Sequence, residues 1–285
     1  MAVCHDTWGA MKRHSYTSLS FGSTFASLLA LMWLIPSVAL AQSAAGEGGF
    51  GESDAYERCL GAIDDDPLTA FDRALAWRDQ GGGAPAVHCS ALALIALGQY
   101  GDAADRLDAL AQDTHNGLNA PLRAQILVQA GNAWMMEGFP EQSVESFDAA
   151  LTLNVESDGL SAEIYFDRAR ARFMDGLWDD AIRDLTRALS HVPGAKDART
   201  LRGTAYRLAG DTTNARADIN HVLGNDPDYA PALLESGVLH LLGGDEAAAR
   251  ADWVHVLQLD NVENDLKGAA RAYLQDLDFP GGLQD

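Results

Sequence analysis

The chain has 285 residues, of which 41 are acidic and 20 are lysine or arginine, so its formal net charge is −21. A hydrophobic content of 47% is typical of a folded protein, and it excludes a chain that is disordered as a whole. Phosphate backbones and anionic lipid surfaces repel so acidic a chain, which argues against nucleic acid or a membrane surface as the partner. The charge favours a soluble monomer, and the steering of a basic partner is its second explanation.

The first 41 residues follow the order of a secretory signal peptide. Lys12 and Arg13 precede an apolar run over residues 25–35, and a site of small residues ends at Ala41. We predict cleavage between Ala41 and Gln42. The apolar run is shorter than the roughly 20 residues that span a membrane, although an uncleaved anchor stays open as an alternative. The protein is therefore expected outside the cytoplasm, in a bacterial periplasm.

Residues 42–53 are small, polar and rich in glycine, which is typical of a flexible linker. A leading pair of helices is predicted over residues 54–83. Its second helix is expected to begin at Asp66-Pro67, because aspartate is a good N-cap and proline is favoured at the first helical position.

A repeat of about 34 residues organises the rest of the chain. Small residues recur at the eighth place of each unit, at Gly131, Ala169, Gly203 and Gly237. Small residues follow again twelve places later, at Ser143, Ala181, Ala215 and Ala249. Large apolar residues stand four places further on, at Phe147, Leu185, Ile219 and Trp253. A helix pair whose two helices pack closely explains this pattern, and the glycines after each first helix (Gly138, Gly176, Gly210 and Gly244) suit a left-handed turn.

The pattern resembles the tetratricopeptide repeat, whose signature is G-x2-Y, then A-x3-F, then P. The unit that holds Gly203, Tyr206, Ala215, Ile219 and Pro227 matches it most closely. The resemblance implies an all-α solenoid of antiparallel helix pairs, wound as a right-handed superhelix whose first helices line a concave groove.

Five repeats are expected within residues 84–265. They cover about 84–117, 124–157, 162–195, 196–229 and 230–263. A capping helix is predicted over residues 266–278, because a solenoid needs cover for its apolar end. Residues 279–285 form the tail.

The resemblance further implies that the groove binds a protein or peptide segment. In the repeat register, the residues expected to line it are Asn132, Met135, Phe166, Arg170, Thr200, Thr204, Arg207, Leu234 and Val238. The same register places Gln125, Glu163, Asp197 and Leu241 on this face. With Arg170 and Arg207 near its middle, the groove is expected to suit an apolar or amphipathic segment with an acidic group. Packing of these side chains between helices stays open as the alternative.

Cys59 and Cys89 fall on the first helices of adjacent units, which favours a disulfide over two buried free thiols. In an oxidising compartment such a bridge would stabilise the chain by roughly 3.5 kcal/mol on the loop-entropy model.

No catalytic residue, metal site or cofactor is predicted. His88 beside Cys89 lacks further metal ligands at a suitable spacing, and the chain has no H-E-x-x-H, no G-x-S-x-G and no phosphate-binding loop. We therefore expect an exported interaction scaffold that is not an enzyme. The alternative is a non-catalytic subunit of an envelope enzyme, assembly or secretion complex.

Overall fold

The structure, a computed structural model, describes residue 50 and residues 54–279. The predicted signal peptide with its cleavage site at Ala41 and Gln42 lies outside the described residues. So do most of the predicted linker and all of the tail except Phe279.

Helices arranged in consecutive antiparallel pairs make up the described part of the chain, which contains no β-strand. The pairs are α1 (Asp54–Asp65) with α2 (Pro67–Trp77), α3 (Gly83–Ala96) with α4 (Tyr100–Gln112), α5 (Ala120–Glu137) with α6 (Pro140–Thr152), α7 (Asp158–Met174) with α8 (Trp178–His191), α9 (Lys196–Leu208) with α10 (Thr212–Asn225), and α11 (Ala230–Leu242) with α12 (Glu246–Gln258). A π-helical turn over Arg78–Gly82 joins α2 to α3, and α13 (Asn264–Asp278) packs on α11 and α12. The predicted all-α solenoid with a capping helix is confirmed.

The small residue at the eighth place of a repeat packs against the large residue at its twenty-fourth place. A methyl group built on Gly131 would lie 2.7 Å from the Phe147 ring, and one on Gly203 would lie 3.0 Å from Ile219. On Gly237 it would collide with the Trp253 indole. The large residue therefore fills the space inside its own hairpin.

The turns between paired helices use the glycines that the sequence indicated. The residue after the last turn of α5 is Gly138, with φ 88°, and Gly210 adopts φ 87° after α9. Left-handed backbone of this kind is readily available to glycine alone. In the turn between α1 and α2, Asp66 caps α2 as predicted, by accepting a hydrogen bond of 3.1 Å from the Thr69 amide.

Buried ion pairs at a recurring place join the two helices of a hairpin. Arg168 of α7 holds both carboxylate oxygens of Asp184 on α8, at 2.6 and 2.9 Å. Arg202 of α9 holds Asp218 of α10 in the same fork, at 2.7 and 2.8 Å. The two residues of each pair are 16 positions apart. This spacing is visible in the sequence, and it is a second repeat signal that our sequence analysis did not use.

Several neighbouring first helices lie side by side along the stack. Neighbouring first helices contact each other (α1 with α3, α5 with α7, α9 with α11, and α11 with α13), whereas neighbouring second helices make no comparable contact within residues 54–279. Elements on the inner side of a curved stack lie closer together than those on its outer side. The first helices therefore line the inner side of the curve, and we call the surface of α5, α7, α9 and α11 on that side the inner face.

Candidate partner-binding face

The structure buries more of the predicted groove than the sequence indicated. Asn132, Met135, Thr200, Arg207 and Leu234 are buried. Only Phe166, Arg170, Thr204 and Val238 are half-buried and so retain surface for a partner. The alternative that these side chains pack between helices therefore applies to the five buried residues, because neighbouring first helices press against each other along the layer.

Arg207 does not meet the solvent, which corrects our expectation that it receives an acidic group from a partner. Its guanidinium group forms a forked ion pair with the carboxylate of Glu235 on the neighbouring α11. Both side chains are almost wholly buried, at 4% and 6% exposure. Burial raises the pKa of Glu235, and the arginine opposes that effect. The pair joins α9 to α11, and its burial keeps an acidic group of a partner away from the Arg207 guanidinium.

Arg170 is also neutralised within the chain. Its Nη1 atom donates to Asp167 Oδ1 at 3.0 Å, on the same helix. The other carboxylate oxygen of Asp167 accepts from Asn132 Nδ2 of α5 at 3.1 Å. The predicted groove residues Asn132 and Arg170 are thus brought together by Asp167, an acid that our sequence analysis overlooked. The inner face does not offer the positive charge that we expected at its middle.

Glu163 stands one helical turn before Asp167 on α7 and is exposed to solvent. Desolvation of the carboxyl group and the nearby charge of Asp167 raise the pKa of Glu163 to about 7. Because the residue as a whole is exposed, water screens part of this effect. Glu163, Phe166, Asp167 and Arg170 follow the i, i+3, i+4, i+7 spacing, so they form one stripe along α7.

The end of the inner face near α13 is apolar and open. Leu241 and Leu242, the last residues of α11, are exposed at 39% and 61%. At the corresponding place of earlier repeats, Met135 and Phe173 are buried. The leucines at the end of the layer thus lack the cover that the earlier residues receive. Val238, one turn before them, is half-buried and extends the same apolar strip.

The opposite end of the layer is closed by a buried polar chain. The Tyr56 hydroxyl of α1 lies 2.7 Å from His88 Nδ1 of α3, and His88 Nε2 lies 2.6 Å from Gln129 Oε1 of α5. Phe50, from the predicted linker, packs on Tyr56 and His88 with ring centroids 5.1 and 4.9 Å away. Burial lowers the pKa of His88 to about 4, so the imidazole is neutral at pH 7. His88 is thus a hydrogen-bonded core residue.

A disulfide joins Cys59 of α1 to Cys89 of α3, beside this polar chain. Both cysteines are buried. The bridge ties the first hairpin to the second one.

No group of three or more histidine, cysteine, aspartate or glutamate side chains in the described part of the chain is arranged to hold a metal ion. Among residues 54–279, no helix combines the length and the apolar character that crossing a bilayer requires.

Comparison with known proteins identifies the repeat. The family model described as tetratricopeptide repeat matches residues 129–189, 166–230 and 200–261, so tetratricopeptide repeats are found within residues 129–261. A search of curated proteins gives no match.

Solved structures with the same fold include two forms of MamA. The MamA RS-1 ArsTM double mutant is 16% identical, covers 68% of this chain and 97% of its own, and has a TM-score of 0.52. MamA 41-end from Desulfovibrio magneticus RS-1 is 14% identical, covers 62% of this chain and 98% of its own, and has a TM-score of 0.50. Likeness at this level of identity shows the fold alone.

Proposed function

We propose that this chain is an exported scaffold that binds a segment of another protein along its inner face and performs no catalysis. Tetratricopeptide repeat proteins generally mediate protein–protein interactions. The observation that carries the proposal is the inner face formed by first helices in direct contact, α5 with α7 and α9 with α11. This face presents exposed Glu163 and Leu241 together with half-buried Phe166, Thr204 and Val238. Such a strip offers one partner segment apolar and polar contacts over several hairpins in succession.

Export to the periplasm is the second part of the proposal. The order of charged, apolar and small residues before Gln42 is that of a cleaved signal peptide. The Cys59–Cys89 bridge supports the same compartment, because disulfides persist in oxidising environments and are rare in the cytoplasm. Signal-sequence cleavage is tested by mass spectrometry of the protein isolated from its own cells, which is expected to begin at Gln42.

Site-specific photo-crosslinking tests the binding face. A photoreactive residue is placed at Gln125 or Leu241 on the inner face of the tagged chain, and at Ser190 or Asn220 on second helices as matched controls. After irradiation in the native envelope fraction, we expect the same partner to be crosslinked from Gln125 and Leu241. Mass spectrometry of the crosslinked peptide then identifies the bound segment.

The control positions show whether the partner binds the inner face or the second helices. Crosslinks that form from Ser190 and Asn220 and not from the inner face would contradict the proposal. Catalytic turnover by the purified monomer would contradict its second half.

A second version of this function is favoured by the exposed Leu241 and Leu242. Exposed leucines side by side suit a permanent interface, so the chain would be a non-catalytic subunit of a larger envelope complex. The two versions differ in the behaviour of the isolated chain. A scaffold stays monomeric after purification, whereas an obligate subunit aggregates or loses stability without its complex.

A further inference from the structure

Four acidic residues belong to the first helices along the inner face, and three of them have partners. Glu235 pairs with Arg207, and Asp197 accepts a hydrogen bond from the Tyr229 hydroxyl. Asp167 is held by Arg170 and by Asn132. Glu163 alone among the four has neither an ion pair nor a hydrogen bond within the described part of the chain.

Glu163 and Asp167 repel each other. They stand at i and i+4 on α7, where two like charges destabilise a helix by a few tenths of a kcal/mol. The raised pKa of Glu163 reflects this repulsion together with desolvation. The single cation on the stripe, Arg170, is already bound to Asp167. The three charged groups therefore carry one net negative charge when Glu163 is ionised.

Asn132 supplies a second and independent sign of a missing donor. The residue is 4% exposed, and its Nδ2 atom is aimed at Asp167. Its Oδ1 atom is buried and accepts no hydrogen bond from any residue that the structure describes. A buried carbonyl oxygen without a donor costs about 1–3 kcal/mol. The acceptors without a donor here are the Glu163 carboxylate and the Asn132 amide oxygen.

We infer that Glu163, Asp167 and Asn132 form a subsite that receives a basic side chain, arginine or lysine, of the bound protein segment. This inference rests on the proposed function and names the chemistry of its partner. A guanidinium or ammonium group brings N–H donors for Glu163 and Asn132, and its positive charge offsets the net negative charge of the stripe. A small movement of the Asn132 amide gives its Oδ1 atom access to the incoming donor.

The surroundings suit the rest of such a side chain. Phe166, half-buried one turn from Glu163, offers an apolar surface for the methylene stem of arginine or lysine. The net charge of −21 draws basic segments toward the molecule. The partner expected from the structure is therefore a basic amphipathic segment, which replaces the acidic one that the sequence suggested.

The test selects peptides on the mature chain, residues 42–285, from a phage-displayed library of random dodecapeptides. We expect the selected peptides to be enriched in arginine or lysine at one fixed position. For a selected peptide made synthetically, Glu163→Gln is expected to weaken binding about tenfold. The control Glu145→Gln removes an equivalent exposed charge from α6, a second helix, and is expected to leave the affinity unchanged. Circular dichroism verifies that both variants stay folded.

A charge exchange separates direct contact from a general effect of charge. A peptide in which the basic residue is replaced by glutamate is expected to bind Glu163→Lys more tightly than it binds the wild type. Two results would overturn the subsite and leave the proposed function standing. The first is that the selected peptides bind the inner face but are not enriched in arginine or lysine. The second is that Glu163→Gln and Glu145→Gln weaken peptide binding equally. Failure of the wild type to select any peptide would overturn both.

Discussion

Two buried serines on α6 differ in whether their hydroxyl groups find partners. Ser143 occupies the twentieth place of its repeat, where Ala181, Ala215 and Ala249 stand in later units, and its Oγ atom makes no hydrogen bond. Ser146 donates to Asp108 at 2.9 Å. One turn of helix thus contains both an unpaired hydroxyl group and a paired one.

We predict that Ser143→Ala raises the free energy of unfolding by about 1 kcal/mol, because a desolvated hydroxyl group without a partner disfavours folding. Ser146→Ala should lower it by about 1–2 kcal/mol, since Asp108 then loses a donor. Urea denaturation of the two variants measures both changes. Equal effects of the two substitutions would show that hydrogen bonding at these sites does not decide stability.

His88 gives the chain a pH-dependent stability. Its pKa is lowered to about 4 in the folded state by burial, and that of an unfolded histidine is about 6.5. As the pH falls, the histidine of the unfolded chain therefore binds a proton before that of the folded chain. The contribution of His88 to the free energy of unfolding is fully present above pH 6.5 and is lost as the pH falls toward 4. The difference corresponds to about 3 kcal/mol.

The variant His88→Gln isolates this contribution. Between pH 6.5 and 4, the wild type is expected to lose stability both from its carboxylates and from His88. The variant is expected to lose only the part that comes from the carboxylates. Chemical denaturation at several pH values measures the difference between the two curves. Parallel curves would mean that His88 titrates normally in the folded protein.

Arg207 shows which residue-scale features a sequence conceals. The repeat register placed it correctly on a first helix, and an arginine there looked available to a partner. Its actual partner, Glu235, lies 28 residues further on, in the next hairpin. A pairing between hairpins depends on how far the stack curves, which the spacing of residues within one repeat does not specify.

At the scale of the elements, close approach of paired helices depends on the glycine of the eighth place. Gly237 of α11 faces the Trp253 indole of α12, and a methyl group has no room there. Gly268 lies in α13 with no atom within 4 Å of an added methyl group. Alanine substitutions at the two positions therefore distinguish the effect of steric crowding from the effect of helix propensity.

We predict that Gly237→Ala lowers the free energy of unfolding by about 1–3 kcal/mol through overpacking. Gly268→Ala should raise it by up to about 1 kcal/mol, because alanine favours the helix and finds open space. Thermal unfolding followed by circular dichroism measures both. If Gly237→Ala proves neutral or stabilising, the indole is not pressed against this glycine.

The helices and their turns were predictable because they rest on local rules. Glycine after a first helix, aspartate before Pro67 and small residues at the eighth place each act within one hairpin, so one repeat contains the information. The forked pair of Arg168 and Asp184 was equally local and could have been found from its recurrence in Arg202 and Asp218. The register placed Glu163 on a first helix, but the pairing of Asp167 with Arg170 and Asn132 beside it depends on how α5 and α7 pack together.

The whole molecule is a stack of hairpins, and its stability depends on contacts between neighbouring hairpins. In such an array each hairpin is stabilised chiefly by the hairpins beside it. The disulfide from α1 to α3 therefore acts on the first two hairpins and on little else.

We predict that Cys59→Ala with Cys89→Ala lowers the stability of the first hairpins by about 3.5 kcal/mol, as closure of a loop of this length suggests. Amide hydrogen exchange is expected to quicken in α1 and α2 and to stay unchanged in α9–α12. A reducing agent should quicken exchange in α1 and α2 of the wild type in the same way. It should not change the exchange of the variant. Uniform loss of protection along the chain would instead show a single cooperative unit.

The two ends of the stack are secured by different kinds of bond. The amino end has a covalent bridge, whereas α13 is held at the carboxyl end by the stacking of Tyr273 on Trp253, with ring centroids 5.1 Å apart, and by the Arg250–Asp278 ion pair. Under tension between its two termini, the molecule should therefore peel from the carboxyl end, one hairpin after another. It would then lengthen in steps as a spring with one fixed end, and would recoil when the load is released.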